Sequence, residues 1–211
     1  MPLRTLCLLL AIIGTYGHAV PVQVIVTAPG GEALSGGVVY LTSDQPLPEA
    51  DPEHLAQMDQ VSRQFKPHVL VVQKGSRVIF PNSDSIKHHV YSFSPAKTFE
   101  LELYKDRAPE PLTFDKQGQV ELGCNVHDWM LGYIYVVDTP YFTRTNQDGQ
   151  ATLDVPKGNY QLHVRHPRLD EPSPVTQPLE VKDSVTTRVT LSNPLLPGIN
   201  YQQDEDEFMG Y

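Results

Sequence analysis

A chain of 211 residues with 40% apolar side chains is long enough to fill one large β core or two smaller ones. Its 19 prolines and 14 glycines favour turns and short strands over long helices. A formal net charge of −9 argues against a nucleic-acid binder, whose phosphate contacts need a basic face, and two cysteines exclude a multi-disulfide framework.

The chain opens on a leader. Arg4 precedes an apolar run from Leu6 to Ile13, far shorter than the roughly 20 residues that cross a bilayer. Gly17-His18-Ala19 supplies the small residues of a cleavage site, so residues 1–19 read as a signal peptide. Cys7 lies inside the run, so a lipid anchor is not expected. Cleavage removes one arginine and no acid, taking the charge from −9 to −10, and leaves Cys124 as the only thiol. No later stretch is apolar enough to cross a membrane, and a soluble periplasmic or secreted protein is expected. In an oxidising compartment a lone thiol is normally buried, paired between chains or bound to metal.

Strands follow in close order. Val22 to Val26 and Val38 to Leu41 form the first two, and Pro46 to Gln60 reads as a connection with a helical hint at Glu53 to Met58. Val69 to Val72 and Arg77 to Phe80 flank the turn Lys74-Gly75-Ser76. Val90 to Phe93, Thr98 to Tyr104, Val120 to Leu122 and Tyr133 to Val137 come next. After the turn Asn146-Gln147-Asp148-Gly149, alternation resumes in Ala151 to Val155 and Asn159 to Arg165, then in Leu179 to Val181 and Thr186 to Leu191. Residues 193–211, with Asp204-Glu205-Asp206-Glu207, read as a disordered acidic tail, a solvated end that could also dock a basic partner. The whole is all-β, with strand spacing that suggests sandwiches.

Metal-ligating residues concentrate between Asn82 and Met130. Cys124, His127 and Met130 succeed one another at intervals of three, and a tight loop between flanking strands would let them converge. His88 stands 36 positions before Cys124, a gap that two strands and their turns can fold back. Two imidazoles, a thiolate and a thioether are the donors of a trigonal type 1 copper site with a weak axial ligand. Zinc could use the first three, but a thioether suits it poorly. Taken singly, a buried cysteine or methionine is more often core packing. His54, His68, His163 and His166 read as surface or hydrogen-bonded histidines. Trp129, Phe93 and Tyr133 read as core that covers the site, with Trp129 also a candidate docking patch beside His127.

The segments His88-His89-Val90-Tyr91-Ser92-Phe93-Ser94 and Leu122-Gly123-Cys124-Asn125-Val126-His127-Asp128-Trp129-Met130 resemble the cupredoxins, in particular the amicyanin and plastocyanin branch and its methylamine-utilisation-type periplasmic members. Asn82 ahead of His88 and Gly132 after Met130 extend the likeness, which spans Phe65 to Asp138. The resemblance implies one type 1 copper ion held by His88, Cys124, His127 and Met130, with Asn82, His89 and Asn125 in the surrounding shell. Strand alternation turns His88 and His89 to opposite faces, and the Asn82 spacing favours His88 as the ligand. The family usually has asparagine after the first ligand histidine, where His89 stands, and plastocyanins have tyrosine before the cysteine, where Gly123 stands.

The flanking strands resemble a carboxypeptidase-regulatory-like, transthyretin-type sandwich: Val24 to Leu41 looks like its first two strands and Asp148 to Val164 like later ones. A cupredoxin Greek-key sandwich over 58–138, inserted into a discontinuous second sandwich over 20–57 and 139–192, is therefore expected. The rival is a linear pair of domains with a two-stranded N-terminal extension. The implied function is single-electron transfer between periplasmic redox proteins. A copper-delivery module, or a copper-free module binding a partner or glycan, are the alternatives. No nucleophile, triad or second metal cluster is visible, so an enzyme is not expected.

Overall fold

The structure, a computed structural model, describes residues 18–169 and 174–198. The expected leader up to residue 17 and the acidic tail from residue 199 lie outside the described residues. The described chain is all-β, and none of it forms a helix long and apolar enough to cross a membrane. It opens with β1 (Val20–Thr27) and β2 (Val38–Thr42). The middle carries β3 (Leu55–Gln57), β4 (Asp59–Val61), β5 (Gln64–Lys66), β6 (Val69–Gln73) and β7 (Arg77–Ile79). Then come β8 (His88–Ser94), β9 (Lys97–Tyr104), β10 (Leu112–Thr113), β11 (Gly118–Leu122) and β12 (Gly132–Val137). The last are β13 (Phe142–Arg144), β14 (Gln150–Val155), β15 (Gly158–Arg165), β16 (Val175–Val181) and β17 (Val185–Thr190).

Period-two alternation in β1 buries Val22, Val24 and Val26 completely. β1 is the centre of a sheet ordered β14-β1-β17, antiparallel to β14 and parallel to β17. A second sheet, β13-β2-β15-β16, supplies Val39, Leu41, Leu162, Val164, Leu179 and Val181 to the same core. Each fully buried Val or Leu contributes about 1.5–3 kcal/mol of transfer free energy. Both N-terminal strands are thus sheet neighbours of strands beyond residue 141. The turn ahead of β14, where the chain passes from one sheet to the other, needs glycine, because Gly149 has φ +72° and a Cβ there would stand 2.4 Å from the Val26 carbonyl oxygen.

A second core gathers Met58, Phe65, Val72, Val78, Phe80, Val90, Phe114, Val120, Leu122, Ile134 and Val136 from the strands, and the residues next to them, between 55 and 137. Its sheets are β10-β7-β3 and β11-β12-β6, with hairpins β4-β5 and β8-β9. A third cluster joins the two: Val38 and Tyr40 on the outer face of β2 meet Val69, Tyr135 and Val137 of β6 and β12. The unbroken apolar run Val38-Val39-Tyr40-Leu41 follows from this, since both of its faces are covered.

The segment 46–60 departs from expectation. No helix forms at Glu53 to Met58; β3 runs through Leu55–Gln57, parallel to β7, and β4 begins at Asp59. Ala56, Met58 and Gln60 alternate towards the second core, but the last of them is polar, which masks the strand period. Gln60 is fully buried because its Nε2 donates to the Pro81 carbonyl at 3.0 Å and to the Tyr104 hydroxyl.

Candidate metal centre

Two backbone features bring the ligand candidates together. β11 and β12 pair as far as Leu122↔Gly132, so Cys124, His127 and Met130 all lie in the loop that joins them. The Met130 N–H donates to the His127 carbonyl at 3.0 Å and tightens that loop. Next to it, Tyr91 and Gly123 exchange backbone hydrogen bonds of 3.1 and 3.0 Å, fixing the middle of β8 beside the residue before Cys124. A Cβ on Gly123 would lie 2.6 Å from Cζ of Tyr91, so the Tyr91 ring packs directly over this position and leaves no room for a side chain there. A register slip opposite His89 puts an extra residue into β9, where Glu102 and Leu103 face that one residue of β8, and His88, His89 and Val90 are all buried.

One donor atom from each of His88, Cys124 and His127 lies within 4.8 Å of the others. Nδ1 of His88 is 3.8 Å from Sγ of Cys124, and the two imidazole centroids are 5.1 Å apart at 53°. Cys124 and Met130 belong to the second core, at 3% and 1% exposure. His127 is 9% exposed and its buried Nδ1 has no hydrogen-bond partner. Burial lowers its pKa, His88 and Arg63 act in the same direction, and Asp84 opposes them. A neutral imidazole with an idle nitrogen, a second imidazole and a thiol in one dry pocket fit a soft, thiophilic metal ion such as copper.

The surrounding residues divide clearly. Asn82 donates from Nδ2 to the carbonyls of Ile86 (3.0 Å) and Tyr104 (2.9 Å) and accepts from the Asp84 N–H, so it shapes the 82–88 loop. His89 lies outside the triad; its Nε2 meets Glu100 at 2.9 Å across the β8-β9 hairpin. Asn125 is exposed, and Trp129 is half-buried with its ring 5.2 Å from that of His127. Phe93 does not cover the site: it is 80% exposed. Burial pushes the Tyr104 phenol up to about 12, partly offset by the Gln60 hydrogen bond, and its hydroxyl donates to the Phe80 carbonyl at 2.7 Å.

Sequence reasoning passed over Asp84. Its Oδ2 sits 2.8 Å from Nε2 of His88, one helical-type step of four residues away. Its carboxyl is held below the ordinary carboxylate range: burial pushes the other way, but the Arg63 N–H, the His88 contact and the Ser62 N–H outweigh it. The pattern Asp-x3-His was the available signal.

No family model and no curated protein matches the chain. Among solved structures it is similar to the copper-containing nitrite reductase from Thermus scotoductus SA-01, at 22% identity and TM-score 0.37 over 46% of this chain, which spans 25% of that enzyme. It is also similar to an oxidized amicyanin variant, at 19% identity and TM-score 0.36, over 46% of this chain and 98% of that one. A purple cupredoxin from Nitrosopumilus maritimus is similar at 21% identity and TM-score 0.32, over 38% and 98%.

Proposed function

We propose that this is an exported type 1 copper protein that carries single electrons between redox partners. The observation that carries the reading is the convergence of His88, from the first position of β8, with Cys124 and His127, from the β11–β12 loop, into one buried pocket. These three would hold the ion, with Met130 as a weak fourth donor, and copper would supply a one-electron couple there. The protein's part is to keep the donors in one arrangement for both oxidation states. Burial of Cys124 and Met130 in the second core, and the bond that tightens the loop, serve that purpose. Val126, 46% exposed and next to His127 in sequence, and the half-buried Trp129, whose ring lies 5.2 Å from that of His127, would offer a partner an apolar landing beside the least buried ligand. The unit containing β3 to β12 would be the copper domain, inserted into the sandwich made by β1, β2 and β13 to β17.

Loading the protein with Cu(II) tests the reading. Intense red absorption from thiolate-to-copper charge transfer is expected, whereas a delivery module that holds Cu(I) stays colourless. Met130→Gln should keep a coloured site with a potential lowered by at least tens of millivolts, because a hard amide oxygen favours Cu(II); each ~59 mV is tenfold in a one-electron equilibrium. An unchanged potential would show that Met130 serves only the core.

A further inference from the structure

We propose that Asp84 is the positioning residue of the centre: it fixes the tautomer of His88 and biases the site towards the oxidised ion. The inference rests on the copper reading above. Oδ1 of Asp84 accepts from the Ser62 N–H at 3.0 Å, and Oδ2 accepts from the Arg63 N–H at 2.7 Å and faces Nε2 of His88 at 2.8 Å. Backbone N–H groups can only donate, so both carboxylate oxygens are acceptors and the imidazole proton lies on Nε2. That leaves the lone pair of Nδ1 facing Cys124 Sγ, 3.8 Å away. An anionic acceptor on the far nitrogen makes a ligating imidazole more basic, which favours the more highly charged metal state.

The arrangement is built rather than incidental. β4 and β5 are joined by the two-residue turn Ser62-Arg63, with Val61 opposite Gln64. Both turn residues have positive φ, 53° and 55°, the conformation of a type I′ turn that favours Asn-Gly. Non-glycine residues are strained in that conformation. The compensation is visible: both of their N–H groups end on the carboxylate of Asp84. A hairpin strained in this way holds the carboxylate still, and the carboxylate holds His88.

Asp84→Asn should weaken Cu(II) binding by ~10–100-fold and Cu(I) binding less, raising the potential by ~59 mV for each tenfold difference. Asp59→Asn is the control: Asp59 binds Ser83 and the Gln60 N–H at the same hairpin without touching His88. It should lower the melting temperature and leave the potential in place. Nitrogen-15 NMR of the native metal-free protein should show His88 protonated at Nε2, a measurement that needs no variant to fold. An Nδ1-protonated His88, an unmoved potential in Asp84→Asn, or equal shifts in both variants would overturn the proposal. A copper-loaded native protein without a red band defeats the copper reading alone, and the metal-free NMR result still decides what Asp84 does to His88.

Discussion

Cys124→Ser will abolish the intense visible absorption of the copper-loaded protein and weaken copper binding by orders of magnitude. The thiolate is the one soft anionic donor in the pocket, and a neutral hydroxyl replaces neither its charge nor its covalency with copper. The fold should survive the change, because Cys124 is one small member of a core that also contains Phe65, Phe80, Phe114 and Ile134. The spectrum and a copper titration of the two proteins, with a melting curve for each, measure the effect. A serine variant that keeps the native spectrum would end the type 1 reading.

His88→Ala and His89→Ala should behave in opposite ways, although the residues are adjacent and both are buried. His88 has Nδ1 3.8 Å from the Cys124 sulfur and its ring 5.1 Å from that of His127, so its loss should bleach the chromophore. His89 is held by Glu100 on the neighbouring strand, so its removal should cost stability or shift the potential while the colour stays. Alanine at 89 also leaves a Glu100 carboxylate that is largely solvent-exposed and can turn to water, which limits the cost to a solvent-screened contact of about 0–1 kcal/mol plus lost packing. Absorption spectra of the two copper-loaded variants decide it. If His89→Ala is the colourless one, the ligand has been placed one residue too early.

The ligand loop was legible because its information is local. Cys124, His127 and Met130 sit between two readable strands, and antiparallel pairing of β11 with β12 is enough to fold the loop. The strand alternation of β1, β14 and β15 was equally plain, each having one covered face. What stayed hidden depends on distant contacts. β4 and β5 have no conventional turn signal, since Ser62-Arg63 takes left-handed backbone only because Asp84 receives it. β3 is three residues long, and β10 two, too short to show a period. The third cluster was implicit in the two-faced apolar runs of β2 and β12, but nothing local says which surface would cover the second face.

The pairing of β2 with β13 has a consequence for how this chain could be re-engineered. Tyr40 lies opposite Phe142, and the Leu41 N–H donates to the Tyr141 carbonyl at 2.9 Å, so the excursion from Ser43 to Pro140 departs from and returns to one clamped point. To the flanking sheet the whole segment from 43 to 140 is topologically a hairpin loop. Closure entropy grows only logarithmically with loop length, by ~0.6 kcal/mol per doubling. The sheet is therefore nearly indifferent to how much chain is spliced between its two strands, and an unrelated module with adjacent termini could occupy the same place, provided it shelters Val38 and Tyr40 from water.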